Sequence, residues 1–576
     1  MNKPFALLTA LALLGGCQVF SPSSPDGQPP VEEALSAQAP ATAKTYASFS
    51  QDTLLALLTA ELAGQRNRFD IALGNYVEQA QLTQDAGVAE RGFRIAEYLG
   101  AEQAALDTSL LWAKNAPDNI DAQRAAAVQL ARAGRYDESM NFMESVLAGQ
   151  GDTHFDFLAL SAAETDADTR AGLLQSFSRL LDKHPDNSQL QFGKALLLQQ
   201  DQRPEEALAL LEQQPKQARP AASILLQARL LQGLERNDEA LPLLEKGIEQ
   251  YPEDKRLRLT YARLLVAEDR LDDAKGEFVA LLQLHPNDDD LRFSLALICL
   301  EAEAWREGIV YLEELVERGS HVDAAHYNLG RAYEALGKPS SALIEYALVG
   351  PSNDFLPAQA RQSELLFQQQ RGEEAAERLR KARESQPDYA IQLHLIEAEA
   401  WSKQQDHERA WQVIEQALEQ FPEDLNLLYT RAMLAEKRGD LDQLERDLRF
   451  IIEREPDNAM AINALGYTLA DRTTRLDEAR ALIETAYQLN PSDPAIIDSM
   501  GWVQYRLGNL PLAERFLRQA LKDFPDPEVA AHLGEVLWAQ GREDEARELW
   551  ARYLKQHPDS PILRSTLQRL TGTETP

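Results

Sequence analysis

The residues that could carry out chemistry in this chain are few and poorly spaced. His321 and His326 stand five residues apart, a poor spacing for two zinc ligands on one helix, and no cysteine or paired carboxylate completes a site. The sequence also lacks HExxH, GxSxG and a phosphate-binding glycine loop, the motifs of metalloproteases, serine hydrolases and nucleotide-binding enzymes. We therefore expect no catalytic residue, no metal and no cofactor, and a protein that is not an enzyme.

Two further histidines belong to His-Pro-Asp tripeptides at residues 184–186 and 557–559. In such a step the proline ends one helix, and the N-cap of the next helix follows. The same proline step recurs through the chain at Pro252, Pro286, Pro387, Pro422, Pro456, Pro491 and Pro525. Both tripeptides are therefore explained by a repeated turn.

Cys299 is the second of only two cysteines and lies in the apolar run from Leu295 to Leu300. Helical periodicity places it on a buried face, which predicts a packed thiol and not a reactive one. The other cysteine, Cys17, is a candidate for lipidation, and in that case no intramolecular disulfide can form.

The elements that position these residues are copies of one helical hairpin. Two amphipathic helical patterns joined by a short polar turn recur every 33, 34 or 35 residues. The residue near the start of the second pattern is usually small, and it recurs at Ala72, Ala105, Ser139, Leu173, Ala207, Ala240, Ala274, Gly308, Ala342, Ala375, Ala410, Leu444, Ala479, Ala513 and Ala546. This period and pattern resemble the tetratricopeptide repeat.

The repeat predicts an all-α solenoid of about fifteen hairpins. One hairpin has too little apolar surface to fold alone, so each must bury a face on its neighbours, and small rotations between hairpins build a superhelix. Small residues should sit where helices touch, with Gly501 against Ala513 and Gly534 against Ala546. Residues 51–185 are predicted to be degenerate N-terminal repeats, residues 186–558 the regular array, and residues 559–576 a C-terminal cap and tail.

The first 50 residues do not show the repeat. Residues 1–16 combine Lys3 with an apolar stretch too short to span a membrane, as in a secretory signal. Residues 14–17, Leu-Gly-Gly-Cys, resemble the lipobox of bacterial lipoproteins, which implies cleavage before Cys17 and its acylation. Gln18 follows where an aspartate would signal inner-membrane retention, so the resemblance implies the outer membrane, facing the periplasm. Residues 17–50, rich in proline, predict a flexible tether.

Charge limits the partners. The formal net charge is −34, and without residues 1–16 it becomes −35, from 57 basic and 92 acidic side chains. Such a surface repels nucleic acid and anionic lipid. We therefore expect protein partners, with the membrane reached only through the lipid anchor.

The first helix of each hairpin is expected to line the concave side of the superhelix. Offsets from Gly501 place a strip of aromatic and polar side chains there, which predicts a partner-binding groove. Its candidate residues are Tyr429, Asn463, Tyr467, Asp498, Trp502, Tyr505 and Trp538.

The lipobox, the proline-rich tether and the long array together resemble bacterial outer-membrane lipoprotein adaptors. Residues 461–467, AINALGY, and 498–502, DSMGW, resemble more narrowly the lipoprotein partners of periplasmic carboxyl-terminal processing proteases. The resemblance implies a non-catalytic adaptor that binds and activates such a serine protease and delivers substrates such as peptidoglycan cross-link hydrolases. The alternatives are an assembly lipoprotein for polysaccharide export or outer-membrane protein biogenesis, and a regulatory scaffold without a protease partner.

Overall fold

A computed structural model describes residues 49–149, 153–163, 165–215 and 219–574. Within these ranges the chain forms 31 α-helices and a short 3-10 turn at Pro387–Tyr389, and no strand. The predicted all-α hairpin fold is confirmed. The predicted signal at residues 1–16, the candidate lipidation site Cys17 and residues 18–48 of the predicted tether lie outside the described residues.

The helices follow one another as fifteen hairpins and a final single helix within the described ranges. Residues up to Leu211 cluster into one compact unit and residues from Glu212 onward into a second. In chain order the helices are α1 Gln51–Gln65, α2 Phe69–Thr83, α3 Ala86–Tyr98, α4 Glu102–Asn115, α5 Ile120–Arg132, α6 Tyr136–Ala148, α7 Phe155–Ser161, α8 Ala167–Lys183, α9 Ser188–Gln200, α10 Pro204–Glu212, α11 Ala221–Gly233, α12 Asn237–Gln250, α13 Lys255–Ala267, α14 Leu271–Leu284, α15 Asp289–Glu301, α16 Trp305–Arg318, α17 Val322–Ala335, α18 Pro339–Ala347, α19 Phe355–Gln368, α20 Gly372–Ser385, α21 Ala390–Lys403, α22 His407–Gln420, α23 Leu425–Arg438, α24 Leu441–Arg454, α25 Ala459–Arg472, α26 Leu476–Leu489, α27 Pro494–Arg506, α28 Leu510–Asp523, α29 Pro527–Ala539, α30 Glu543–Gln556 and α31 Pro561–Thr571.

The fifteen recurring residues from Ala72 to Ala546, called the ladder residues below, fall at one structural position. In fourteen of the fifteen hairpins the ladder residue is the fourth of the second helix, and all fifteen ladder residues are buried. The exception is Leu173, the seventh residue of α8, because that helix begins one turn early at Ala167. Asp166 caps this early start by accepting a hydrogen bond from the backbone N–H of Thr169 at 2.9 Å.

Close helix approach at the predicted glycines is also confirmed. A Cβ atom on Gly501 would lie 2.5 Å from Cγ of Leu517 and 3.2 Å from the carbonyl oxygen of Ala513. A Cβ atom on Gly534 would overlap the indole ring of Trp550, which is fully buried. The two helices of these hairpins therefore pack at a distance that only glycine permits.

The turns between hairpins use the predicted proline step. The residue after Pro-x usually caps the next first helix, as Asp254, Asp424 and Asp493 do by accepting backbone N–H bonds. Such caps satisfy donors that the helix itself leaves free. After Pro525 the cap comes one residue earlier, at Asp526.

Cys299 is completely buried in α15, and burial raises the pKa of its thiol to about 11. The predicted packed thiol is confirmed, since a thiol with so high a pKa is protonated near neutral pH. Across the described residues, the helices are all too short or too polar to cross a membrane.

Candidate protein-interaction site

The predicted groove residues lie on the first helices of four consecutive hairpins. Tyr429 is in α23, Asn463 and Tyr467 are in α25, Asp498, Trp502 and Tyr505 are in α27, and Trp538 is in α29. Successive first helices contact each other directly, α25 with α27 and α27 with α29. The repeat therefore brings side chains about 34 residues apart in sequence onto neighbouring helices.

The centre of this surface is a buried ion pair between α27 and α29. Nδ1 of His532 lies 3.0 Å from both carboxylate oxygens of Asp498, and both residues are buried. Burial by itself would lower the pKa of His532, but the Asp498 carboxylate, with Glu528 and Glu535 nearby, raises it above its ordinary value. The carboxylate from the preceding repeat thus favours the charged form of His532.

Tyr467 extends this contact across two repeats. Its hydroxyl donates a hydrogen bond of 2.9 Å to Glu528 of α29 and lies 3.4 Å from Nε2 of His532. Burial raises the pKa of Tyr467, and Glu528 and Asp498 add to the effect. The phenol therefore remains a neutral donor, and its hydrogen bond joins α25 to α29, the first helices on either side of α27.

Trp502 completes the cluster by stacking on the imidazole. The two ring centroids are 4.1 Å apart at an interplanar angle of 25°, and the Tyr505 ring lies 5.1 Å from the Trp502 ring. The Asp498 carboxylate favours the charged imidazole, and the indole face attracts that charge. Nε1 of Trp502 has no hydrogen-bond partner among the described residues.

A second polar contact ties α27 to the last two helices. The Tyr505 hydroxyl donates to Oε1 of Glu535 at 3.0 Å, and Nη1 of Arg569, in α31, donates to the same oxygen at 2.8 Å. Because Glu535 is buried, its negative charge is poorly solvated by water, and the Arg569 guanidinium balances it instead. These hydrogen bonds join helix α31 to α29 and α27.

The expected exposure of two candidate residues is wrong. Asp498 and Trp502 are both about 6% exposed, because His532 of the next repeat covers the carboxylate and stacks on the indole. These two residues hold neighbouring first helices together and offer no free surface. Asn463, Tyr467 and Tyr505 are half-buried, and Oδ1 of Asn463 is a buried acceptor that has no partner in the described ranges.

The remaining two candidates lie apart from this cluster. Trp538 turns toward the second helix of its own hairpin, where its ring centroid is 5.9 Å from that of Trp550 and 4.8 Å from the Arg547 guanidinium. Tyr429 lines a separate pocket of about 540 Å³ between α21 and α23. The predicted strip therefore consists of a closed cluster in the last three hairpins and an open pocket in the two hairpins directly before them.

The residues that sequence reasoning missed are His532, Glu528, Glu535 and Arg569. A usable signal was present, because His532 follows Asp498 by 34 residues, which is one repeat. An acid and a base at that spacing face each other across adjacent first helices. Within the described residues, no group of three histidine, cysteine or carboxylate side chains could hold a metal ion.

Several known proteins are similar to this chain in sequence or in structure. The sequence model of the tetratricopeptide repeat matches residues 174–222, 231–298, 300–354, 361–425, 429–494 and 499–561. The chain is 68% identical over 576 residues to a TPR repeat-containing protein of Pseudomonas aeruginosa, covering 100% of this chain and 98% of that protein. It is 32% identical over 98 residues to bacteriophage adsorption protein A of Escherichia coli, covering 17% of this chain and 10% of that protein. A crystal structure of a thermophilic TPR protein from Thermus thermophilus is 25% identical, with a TM-score of 0.29, over 31% of this chain and 98% of that one.

The His532–Asp498 pair makes the stability of the last repeats depend on pH. Because the folded pKa of His532 is raised, the stabilisation is fully present below the unfolded pKa of about 6.5. It is lost as the pH rises through the folded pKa. We expect Asp498→Asn to lower the free energy of unfolding by about 3 kcal/mol below that unfolded pKa, and the difference from the unmodified chain to shrink at alkaline pH.

Thermal unfolding midpoints of both proteins, recorded between pH 5.5 and pH 9, measure this difference. Asp477→Asn is the matched control, since the Asp477 side chain is 90% exposed and its loss should shift the midpoint little at any pH. A constant gap between Asp498→Asn and the unmodified chain across the whole range would contradict a charged His532.

Proposed function

This chain belongs to the tetratricopeptide repeat family, and we propose that it works as a non-catalytic adaptor that brings a protease and its substrates together. Proteins of this family bind protein partners, and an array of fifteen hairpins offers many first-helix surfaces for them. The partner that we propose is a periplasmic carboxyl-terminal processing serine protease, with peptidoglycan cross-link hydrolases among the substrates.

The observation that carries the proposal is the division of the first-helix surface. In repeats 13–15 the aromatic and charged side chains are tied to one another, with Asp498 and Glu535 each paired to a base. In repeats 11 and 12 a pocket of about 540 Å³ stays open beside Tyr429. A surface with rigid and open stretches can hold two different partners at once, which is what an adaptor must do.

Tethering supplies the rate advantage. When one chain holds both enzyme and substrate, cleavage becomes an intramolecular event at an effective concentration in the millimolar range for short flexible links. No new catalytic group is required, so the adaptor needs only to bind and to orient. The identity of the protease rests on the resemblance of residues 461–467 and 498–502, which in the structure form parts of α25 and α27.

Reconstituted proteolysis tests the adaptor role. The purified chain alone should cleave nothing, and added to the protease it should raise substrate degradation several-fold because it concentrates both proteins. The measurement is the substrate remaining over time, with an equal concentration of serum albumin as the control for protein crowding. Equal rates with and without the chain, and no complex on gel filtration, would favour an assembly scaffold for polysaccharide export or outer-membrane protein biogenesis.

We further propose that acyl chains on Cys17 anchor the protein to the outer membrane on its periplasmic side. Stable anchoring takes more than one acyl chain, each contributing about 0.8 kcal/mol per buried CH₂, and a lipoprotein cysteine carries several. Cys17→Ser should therefore move the protein from the membrane fraction to the soluble periplasmic fraction, as measured by fractionation and immunoblotting. If that variant stays in the membrane fraction with residues 1–16 removed, anchoring through Cys17 is wrong.

A further inference from the structure

The first helix of the array, α1, exposes more apolar surface than any other described helix. Four of its five leucines are exposed, with exposed fractions between 48% and 67%, whereas each of the other described helices exposes at most two large apolar side chains. Residues three and four apart are neighbours on a helix, so the four leucines form one stripe. We call this stripe, Leu54, Leu55, Leu58 and Leu62, the α1 leucine face.

The opposite side of α1 is apolar as well. Ala60 and Ala63 are buried there, and Leu57 packs, half-buried, against the core of the first hairpins. A helix that is apolar on all sides is normally covered on all sides, and a contiguous apolar patch on a protein surface commonly marks an interaction site. The α1 leucine face therefore has the composition of a contact surface.

The repeat indicates which contact this face would make. Leu55 and Leu62 stand 17 and 10 residues before the ladder residue Ala72. Each later hairpin has a described hairpin before it, whereas α1 has none in the described part of the chain. The cover at these two positions therefore comes from the preceding hairpin, and α1 needs an equivalent surface from elsewhere. In later hairpins the same two positions are buried, as in the pairs Val88 and Ile95, Leu190 and Leu197, Leu257 and Leu264, Leu291 and Ile298, Leu427 and Leu434, Ile462 and Leu469, Ile496 and Val503, and Val529 and Val536.

The last helix, α31, presents a different surface. Its exposed side chains include Arg564, Ser565 and Gln568, and its leucines Leu563 and Leu567 are buried. A polar outer face is what a terminal repeat normally presents to water. Exposed leucines are therefore not a general property of the ends of this array, and the polar α31 surface fits the α1 leucine face poorly.

The α1 leucine face is also free of charge. The exposed glutamines Gln51 and Gln65 end it, Asp52 stands at its edge, and Glu61 pairs with Arg91 of α3 at 3.2 Å. Two copies of a chain with a formal net charge of −34 repel each other over most of their surface. An uncharged apolar face is where two copies can approach.

The stretch before α1 suits the face less well than a second copy does. Residues 18–48 contain five prolines, and their large apolar and aromatic side chains are scattered. A continuous row of leucines calls for a continuous apolar partner surface, and the same face of another copy supplies one. Those scattered side chains are Val19, Phe20, Val31, Leu35 and Tyr46.

We propose that the α1 leucine face binds the same face of a second copy of this chain, with the two α1 helices antiparallel about a two-fold axis. A two-fold contact pairs a surface with itself, so leucines meet leucines. The antiparallel order also brings Asp52, at the start of one helix, next to Arg66, directly after the end of the other, and opposes the two helix dipoles favourably. This dimer goes beyond the adaptor role and does not depend on which proteins the array binds.

The mass of the chain in solution tests the contact. The sample is the full chain with Cys17→Ser, which removes acyl chains as a separate cause of association, and sedimentation equilibrium measures its mass over a concentration series. We expect a monomer–dimer equilibrium with a dissociation constant in the micromolar range, because one helix face is smaller than the roughly 800 Å² per partner of a standard interface. Leu58→Glu should raise that constant at least tenfold, since it sets two carboxylates against each other in an apolar contact.

Ile344→Glu is the matched control, because Ile344 is 62% exposed in the middle of α18 and Leu58 is 61% exposed in α1. It should leave the dissociation constant unchanged. Glutamate is a good helix former, so both variants should keep the circular dichroism of the unmodified chain, which separates a lost contact from a lost fold.

A charge exchange tests the antiparallel order. Arg66→Asp should weaken the dimer about threefold, because it sets an acid against Asp52 of the other copy. Adding Asp52→Arg should restore the affinity, since the pair forms again with its charges exchanged. The two residues are 14 apart along one helix, about 21 Å, so the rescue cannot come from within one copy.

A monomer at every concentration would overturn the proposal. A dimer that Leu58→Glu leaves intact would place the interface elsewhere and overturn it too, and failure of the charge exchange would overturn the antiparallel order. If the chain dimerises only after residues 18–48 are removed, that stretch covers the face and a second copy is the wrong occupant. Reconstituted proteolysis tests the adaptor role separately from all of these outcomes.

Discussion

The close approach of two helices at one small residue per repeat is the constraint on which the rest of the structure depends. A larger side chain at this position would push the second helix away from the first. The dispersion energy of packed side chains weakens steeply when such a gap opens between them. Thirteen of the fifteen hairpins meet this condition with a buried alanine, serine or glycine, and the other two carry the buried leucines Leu173 and Leu444. Side chains one repeat apart therefore lie on neighbouring first helices, as Asp498 and His532 do.

This placement of residues one repeat apart explains how the candidate site is built. Asp498 and His532 meet because the repeat brings α27 against α29. Tyr467 in α25 is also close enough to α29 for its hydroxyl to donate a hydrogen bond to Glu528. Where neighbouring repeats supply complementary groups, the first-helix surface closes on itself. Where they do not, as beside Tyr429, a pocket stays open between neighbouring first helices. Complementarity between repeats thus determines which stretches of the first-helix surface close on themselves and which stay open.

The sequence predicted the repeat number, the hairpin pattern, the close contact at Gly501 and Gly534, and the packed thiol of Cys299, because each depends on local periodicity and residue size. The offset of 34 residues between Asp498 and His532 could have indicated their pairing, but it could not predict that this contact leaves Asp498 and Trp502 buried. Exposure on a concave surface depends on how tightly successive first helices pack, and periodicity alone does not report that distance. The pairing of Glu535 with Arg569 was equally out of reach, because α31 stands outside the repeat.

The central claim is that close helix contact at the small residues organises the array, and substitution at Gly534 tests it most directly. Gly534→Ala places a methyl group into the rigid Trp550 ring and should cost about 1–3 kcal/mol. Gly276→Ala, at an exposed helix position with open space around it, should instead stabilise α14 by about 0.5–1 kcal/mol. Hydrogen exchange measured by mass spectrometry should show faster exchange confined to α27–α31 in the first variant. Equal protection in both variants, or loss of protection throughout the chain, would contradict an array held together by contacts between nearest neighbours.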